Sequence, residues 1–168
     1  WLPNSACWDL AHRYQLNGPR YSHSTACASG LIDVLAATRA IEDGSCDIAL
    51  AGSSEAIDSV FAAAFSKMRV LADSDDPNES CMPFDVRRKG FVMGEGAGML
   101  VVERLSHAQA RGAKIYAEIL GGRMLADAHH VTSLSDAPEG IVRLVDDVLR
   151  TSGIERKDIG YINAHGTG

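Results

Sequence analysis

Two side chains in this sequence, a cysteine and a histidine, stand where an α/β protein could use them for chemistry. Cys27 lies within Thr-Ala-Cys-Ala-Ser-Gly at residues 25–30, between a short extended segment and a stretch with helical periodicity. The unpaired N–H groups and the positive dipole end of a helix stabilise a thiolate, which is the nucleophilic form of cysteine. The small neighbours also let a substrate carbonyl approach the backbone, where N–H groups can face a developing oxyanion. This position favours a catalytic nucleophile over a buried structural cysteine.

The histidine, His165, follows an apolar run at residues 159–163 and precedes Gly-Thr-Gly at 166–168. Irregular tips at strand ends are where α/β folds gather ligand-binding groups. His129 and His130 are adjacent, so they point in different directions on any regular element. No Cys or His spacing completes a zinc site. The sequence therefore predicts no metal site.

The elements that must position these residues are predicted from periodicity and turn signals. In chain order they are a helix within 1–16, a strand at 20–24, a helix at 31–40, a strand at 47–52, a helix at 58–68, a loop at 73–83, a strand at 99–103, a helix at 105–110, a strand at 115–120, a loop at 126–136, a helix from 138 to 153 and a strand at 159–163. The strand at 47–52 is short and apolar, as in a strand covered on both faces. Apolar strands that alternate with amphipathic helices predict an α/β layered fold.

A glycine-rich stretch, Gly-Glu-Gly-Ala-Gly at residues 94–98, imitates a phosphate-binding loop. A nucleotide loop follows a strand and opens a helix, whereas this stretch precedes a strand. We expect close backbone packing here rather than nucleotide binding.

Composition limits the classes of protein. The chain has 168 residues with 46% hydrophobic and 23% charged, which excludes a disordered class, and no apolar run approaches the ~18 residues of a membrane span. The net charge of −6 offers no general attraction to nucleic acid or to a membrane, so an acidic partner would need a local basic patch. The four cysteines lack a metal spacing, and no secretory signal is visible, so we expect a cytoplasmic, reduced protein.

Three motifs carry a resemblance to a known family: residues 25–30, Gly-Phe-Val-Met-Gly-Glu-Gly-Ala-Gly at 90–98, and Asn-Ala-His-Gly-Thr at 163–167. Together they resemble the β-ketoacyl synthases of fatty-acid and polyketide assembly, and most of all the dissociated, elongating type II enzymes. The resemblance implies a thiolase-like, five-layered α/β/α/β/α fold. It also implies an internal fragment, with residues 1–112 in the later part of the N-terminal half and 113–168 at the start of the C-terminal half.

The resemblance assigns catalytic roles. Cys27 would take the acyl group as a thioester, and His165 would polarise the malonyl thioester carbonyl as carbon dioxide leaves. Thr167 would hydrogen-bond the pantetheine arm, although a loop-capping hydroxyl is the alternative. The family's second histidine, its lysine and its gating phenylalanine would lie beyond Gly168, so residues 1–168 alone are expected to be inactive.

Binding residues are also implied. Phe65 and Met68 fall where the family lines its acyl pocket, with ordinary core packing as the alternative. Arg69, with Lys67 nearby, lies close to a position that contacts the carrier protein or its phosphopantetheine, with a solvated surface charge as the alternative. Asn163 is either a strand-end hydrogen bonder or part of a structural cation site whose other ligands are not present.

The activity implied is decarboxylative Claisen condensation of an acyl thioester with a malonyl-acyl carrier protein. The implied partners are acyl carrier protein and a second subunit, either identical or homologous, and no cofactor is expected beyond the carrier's phosphopantetheine. Two alternatives stay open: a non-elongating partner subunit of the chain-length-factor type, against which the presence of Cys27 argues, and a cysteine hydrolase that uses Cys27 and His165. The sequence leaves the pathway, the chain length and the starter unit open.

Overall fold

Helices and strands mix along the chain in the computed structural model, which describes residue 2, residues 4–130 and residues 135–168. The elements are α1 (Ser5–Tyr14), α2 (Ser29–Glu42), β1 (Ile48–Glu55), α3 (Ser59–Lys67), α4 (Pro77–Ser80), β2 (Gly96–Glu103), α5 (Leu105–Ala110) and α6 (Glu139–Ser152), with 3-10 turns at Ala26–Ala28 and Arg156–Asp158. The chain divides into two units, one made of Trp1–Ser53 and Met99–Ile159 and the other of Ser54–Gly98 and Gly160–Gly168. The expected division into residues 1–112 and 113–168 concerns the halves of a longer protein and stays a prediction.

The first unit has a thin core built mainly from small side chains. Among the described residues the buried hydrophobic side chains are Ala11, Ala37, Ala40, Ile41, Ala51, Ala108 and Leu149. They come from α1, α2, β1, α5 and α6, so alanines allow these elements to approach closely. An apolar cavity of about 820 Å³ lies between α1, α2 and the sheet, with Leu10, Ala37, Leu50 and Val101 in its wall.

Arg104 connects three elements of the first unit. Its backbone N–H donates to Asp47 O and its Nε donates to Asp47 Oδ1, both at 2.9 Å. Its terminal nitrogen donates to Ile41 O at the end of α2, at 2.7 Å. Because Arg104 follows β2 and Asp47 precedes β1, the end of one strand lies beside the start of the other. The two strands of this sheet are therefore antiparallel.

A charged cluster joins β2 to α5. The carboxylate of Glu103 accepts two hydrogen bonds from Arg111, at 2.7 and 2.6 Å, and one from His107 Nδ1 at 2.5 Å. These bonds, with Arg111 contributing most, lower the pKa of Glu103 from 4.5 to about 2. The side chain of Glu103 is only 8% exposed, so a partly buried anion is paired on two sides.

The second unit contains α3, α4 and an isolated parallel bridge. The carboxylate of Asp58 accepts from Phe61 N at 2.8 Å and caps α3, and Asp76 caps α4 in the same way. The bridge joins Leu71 to Phe91, with Ala72 N donating to Phe91 O at 2.9 Å. This bridge positions the ring of Phe91 against α3.

The structure confirms the five predicted helices and corrects several strands. The segments at 20–24, 115–120 and 159–163 are not strands, because no ladder partner pairs with them in the part of the chain that the structure describes. The strand at 47–52 was expected to be covered on both faces, yet Ile48 and Leu50 are exposed. The close backbone packing expected at residues 94–98 is also absent, since no described atom lies within 4 Å of a Cβ added at any of the three glycines. The loop at 73–83 contains the short helix α4, and residues 131–134 of the predicted loop 126–136 lie outside the described residues.

Three further features bear on the class of protein. None of the helices in the described ranges is long and apolar enough to cross a membrane. All four cysteines are free thiols. Within the same ranges, no group of three or more His, Cys, Asp or Glu side chains is placed to hold a metal ion.

Candidate functional site

Cys27 lies at the centre of the 3-10 turn Ala26–Ala28 and is exposed, immediately before α2 begins at Ser29. The Ser29 hydroxyl holds this turn together: its Oγ accepts from Thr25 N at 2.9 Å and donates to Ala26 O at 2.7 Å. Ala28 N donates to Thr25 O at 3.2 Å. The thiol is thus exposed on a turn whose backbone is hydrogen-bonded both before and after Cys27.

Ala26, directly before the nucleophile, has φ of 50°, in the left-handed region that non-glycine residues avoid. This conformation costs about 1–2 kcal/mol for a residue with a Cβ. Such strain persists only where surrounding contacts hold it, and it is found most often at functional sites. The two hydrogen bonds of the Ser29 hydroxyl are such contacts.

Gly30 allows the start of α2 to lie against β1. A Cβ at Gly30 would come 2.5 Å from Ser53 Oγ and 2.9 Å from Ser53 Cβ, closer than real Cβ atoms approach. Only glycine fits at this position, which explains the last residue of the first motif in physical terms. The turn that carries Cys27 is therefore fixed relative to the strand.

The His-Gly-Thr tip lies in the second unit, where both His165 and Thr167 are exposed. Gly166 has φ of 49°, and a Cβ there would come 3.2 Å from the ring of Phe84. Phe84 itself has φ of 66°. A Cβ at Gly168 would collide with the carbonyl oxygen of Gly90, so the residue after the third sequence motif lies beside the first residue of the second motif.

The aromatic side chain of Phe65 is half-buried by two rings. Phe65 contacts Phe61 edge-on with centroids 5.0 Å apart, and Phe91 edge-on at 5.6 Å. Met68, at the end of α3, is 50% exposed. Arg69 follows with φ of 58°, which ends the helix, and its side chain is exposed. Phe65 is thus joined through Phe91 to the second motif, whereas Met68 and Arg69 face solvent.

Charge in the second unit is arranged around Asp85. This carboxylate accepts from Arg87 N at 2.8 Å and from Arg87 Nε at 3.2 Å, and these bonds lower the pKa of Asp85. Arg87 also pairs with Glu79 at 3.6 Å. Arg87 therefore pairs with two carboxylates. Lys67 and Arg69 are exposed basic residues at the end of α3.

The structure thus gathers the predicted residues in two groups. Cys27 belongs to the first unit, and Phe65, Met68, Arg69, His165 and Thr167 belong to the second. Sequence reasoning missed the Ser29 hydroxyl, the Phe84 ring under Gly166, and a hydrogen bond between His23 and Asp33. The Phe84 and His23 contacts join residues of ordinary type that are distant in sequence, whereas the bonds of the Ser29 hydroxyl are local. The serine alone had a signal, since its type is common beside helix N-termini.

Comparison with known proteins shows that nearly the whole chain is similar to one protein family. A model of the beta-ketoacyl synthase N-terminal domain matches residues 2–108, and a model of the beta-ketoacyl synthase C-terminal domain matches residues 116–168. The chain is 43% identical over 169 residues to 3-oxoacyl-[acyl-carrier-protein] synthase 2 of Rhizobium meliloti (strain 1021), which covers 99% of this chain and 40% of that protein. It is 42% identical to the mitochondrial 3-oxoacyl-[acyl-carrier-protein] synthase of Arabidopsis thaliana, over 99% of this chain and 37% of that protein.

A solved structure gives the same result at the level of fold. A type II polyketide ketosynthase, in complex with its acyl-carrier protein and bound to the hexaketide, matches with a TM-score of 0.93 and 34% identity. The match covers 98% of this chain and 41% of that one. The predicted thiolase-like α/β fold is thereby confirmed, and the chain holds part of it. The chain spans about 40% of the length of the curated relatives it matches.

Proposed function

Since this chain belongs to the beta-ketoacyl synthase family, we propose that the protein catalyses the decarboxylative condensation of an acyl thioester with a malonyl-acyl carrier protein. The product is a 3-oxoacyl-acyl carrier protein, made in fatty-acid or polyketide synthesis. The observation that carries the proposal is the exposed thiol of Cys27, presented on a strained and hydrogen-bonded turn at the start of α2.

The first half-reaction is acyl transfer to Cys27. The Sγ attacks the carbonyl carbon of the acyl thioester, a new thioester bond forms at Sγ, and the carrier's thiol leaves with a proton. Backbone N–H groups at the start of α2 face the oxyanion that develops in this step. The Cys27 thiol gives up the proton that the leaving carrier thiol takes up, so the step needs no net proton donor or acceptor.

The second half-reaction begins at the malonyl thioester. The C–C bond to the carboxylate breaks, carbon dioxide leaves, and the electron pair forms a carbanion stabilised by the adjacent thioester carbonyl. His165 donates a hydrogen bond to that carbonyl oxygen. The carbanion then attacks the acyl carbonyl on Cys27, and the Cys27 thiolate is released.

Four further residues bind the substrates in this proposal. Thr167 hydrogen-bonds the phosphopantetheine arm of the carrier, beside the Gly166 turn that rests on Phe84. Phe65 lines the acyl pocket, supported by its ring contacts, and Met68 extends that lining. Arg69 meets the carrier or its phosphate group, supported by its exposure on a chain whose net charge is −6.

The partners and the compartment belong to the same proposal. Acyl carrier protein is the substrate carrier, which is supported by the solved complex of a similar ketosynthase with its acyl-carrier protein. The intact protein pairs with an identical or homologous subunit and works in a reducing compartment such as the cytoplasm, where its free cysteines stay reduced. Carrier-bound phosphopantetheine is the only prosthetic group that this chemistry requires.

The test is the substitution Cys27→Ala in the intact protein. Elongation of an acyl group should stop, while carbon dioxide release from malonyl-acyl carrier protein should persist in part, because His165 and not the thiol serves that step. The matched control is Cys81→Ala, which removes the thiol of another exposed cysteine. If decarboxylation collapses with elongation, or if Cys81→Ala has the same effect as Cys27→Ala, the proposed division of labour is wrong.

A further inference from the structure

A hydrogen bond joins the chain on the two sides of Cys27. His23 Nδ1 donates to Asp33 Oδ1 at 2.6 Å. His23 lies four residues before Cys27, and Asp33 lies six residues after it, on the second turn of α2. The bond therefore closes an eleven-residue segment, 23–33, that contains the nucleophile and its strained turn.

The hydrogen bond between His23 and Asp33 is partly shielded from water. The Asp33 side chain is 22% exposed and that of His23 is 36% exposed, so both are partly withdrawn from water. A charge-assisted bond of this length is roughly twice as strong as a neutral one. In the part of the chain that the structure describes, no strand pairs with residues 20–24, where the sequence predicts a strand. The His23–Asp33 bond therefore fixes this segment without a strand ladder.

A second side-chain contact holds residues 20–24, the segment that enters the turn. Cys7 Sγ donates to Tyr21 O at 3.3 Å, a weak thiol hydrogen bond. The ring of Tyr21 lies 6.1 Å from that of His23 in a tilted arrangement. His23 thus provides a strong contact between this segment and the helix that carries the nucleophile.

We propose that His23 and Asp33 are positioning residues, whose hydrogen bond holds the backbone of residues 25–28 and so sets the position of Cys27 Sγ for acyl transfer. The inference rests on the proposed function. The strained backbone at Ala26 would relax to a more favourable φ if nothing held it. The His23–Asp33 bond restrains the residues before the turn, and the Ser29 hydroxyl restrains the turn itself. In this proposal the pair acts on the reaction only through the turn.

The experiment compares variants of the intact protein in two assays. In single-turnover and steady-state acyl transfer, His23→Ala and Asp33→Ala should each lower kcat about tenfold, with KM for the acyl donor changed less than about twofold, since misplaced reacting atoms cost rate rather than binding. The double variant should be no slower than either single one, because the two residues act as a unit. Asp33→Asn should recover activity to within about threefold of the parent, because its amide oxygen accepts the same N–H.

The second assay is hydrogen exchange at the amides of Thr25 and Ala28, which are bonded within the turn. Exchange there should rise about tenfold in His23→Ala and Asp33→Ala, as expected for local opening. The matched control is His107→Ala, which removes a histidine–carboxylate bond of similar length, to Glu103, and should change neither kcat nor exchange at the turn.

The outcomes separate the two proposals. If the parent protein transfers no acyl group, the proposed function fails, while the exchange assay still tests the positioning role. That role is overturned if exchange at Thr25 and Ala28 is unchanged in both alanine variants. It is also overturned if the double variant is much slower than the single ones, or if Asp33→Asn is as slow as Asp33→Ala.

Discussion

Gly30 and Ser53 lie so close together that any side chain at residue 30 would collide with the strand. The Cβ of an alanine would be 2.5 Å from Ser53 Oγ. Gly30 is the second residue of α2 and Ser53 lies in β1, so this contact fixes the turn of Cys27 against the sheet. A general preference for alanine over glycine in helices, worth up to about 1 kcal/mol, has thus been overridden by packing.

Gly30→Ala should therefore destabilise the intact protein by about 1–2 kcal/mol, because overpacking costs more than helix propensity returns. Denaturant unfolding measures the difference. The matched control is Gly140→Ala, also at the second residue of a helix but with nothing within 4 Å of the new Cβ. That variant should be as stable as the parent or more stable. Equal effects in the two helices would contradict the close contact.

The Glu103 cluster predicts how stability depends on pH. The pKa of Glu103 is held at about 2, below its ordinary 4.5, so its contribution is fully present above pH 4.5 and is lost as the pH falls toward 2. Glu103→Gln should be less stable than the parent at pH 7, and the difference in Tm should shrink steadily between pH 4.5 and 3. Glu118→Gln, an exposed carboxylate outside the cluster, serves as control. A constant Tm difference across this range would show that the pairing contributes nothing.

Gly166 offers a second test of backbone conformation, now beside the candidate histidine. Its φ of 49° and the Phe84 ring 3.2 Å from the site of a Cβ make alanine unfavourable on two counts. Gly166→Ala should lower stability by about 1–2 kcal/mol and displace the neighbouring His165, so malonyl decarboxylation should fall as well. Gly94→Ala introduces the same methyl group into open space and should change neither quantity. Normal decarboxylation by Gly166→Ala would mean that the tip tolerates movement.

Much of the fold was accessible from sequence because it depends on local signals. The helical stripe after Cys27 and the glycine that follows α6 predicted those two helices, and the apolar run before Gly52 predicted β1. The strand at 115–120 was wrong for a physical reason: its side chains favour a strand, but a strand requires a partner that local sequence does not specify. The contacts of Phe84 with Gly166 and of His23 with Asp33 were missed for the same reason, since each joins residues whose proximity only the tertiary structure creates.

The rate at which each cysteine reacts with an alkylating reagent tests whether Cys27 is activated or merely exposed. Cys27 and Cys81 are both exposed, whereas Cys7 and Cys46 are half-buried. If exposure alone governed labelling, brief treatment with iodoacetamide would modify Cys27 and Cys81 equally. We expect Cys27 to react about tenfold faster than Cys81, because Cys27 lies in the turn that begins α2, the kind of position at which reactive cysteines are found. Peptide mass spectrometry measures both sites in one sample, and equal labelling would contradict activation.

The central claim is that Cys27 carries the growing acyl chain, and the mass of the enzyme itself tests it most directly. The intact protein, incubated with acyl-acyl carrier protein alone, should gain the mass of one acyl group on the peptide that contains Cys27. Addition of malonyl-acyl carrier protein should discharge that mass with release of carbon dioxide and formation of the 3-oxoacyl product. An acyl group on any other residue, or one discharged to free acid by water at the same rate without malonyl-acyl carrier protein, would contradict the account.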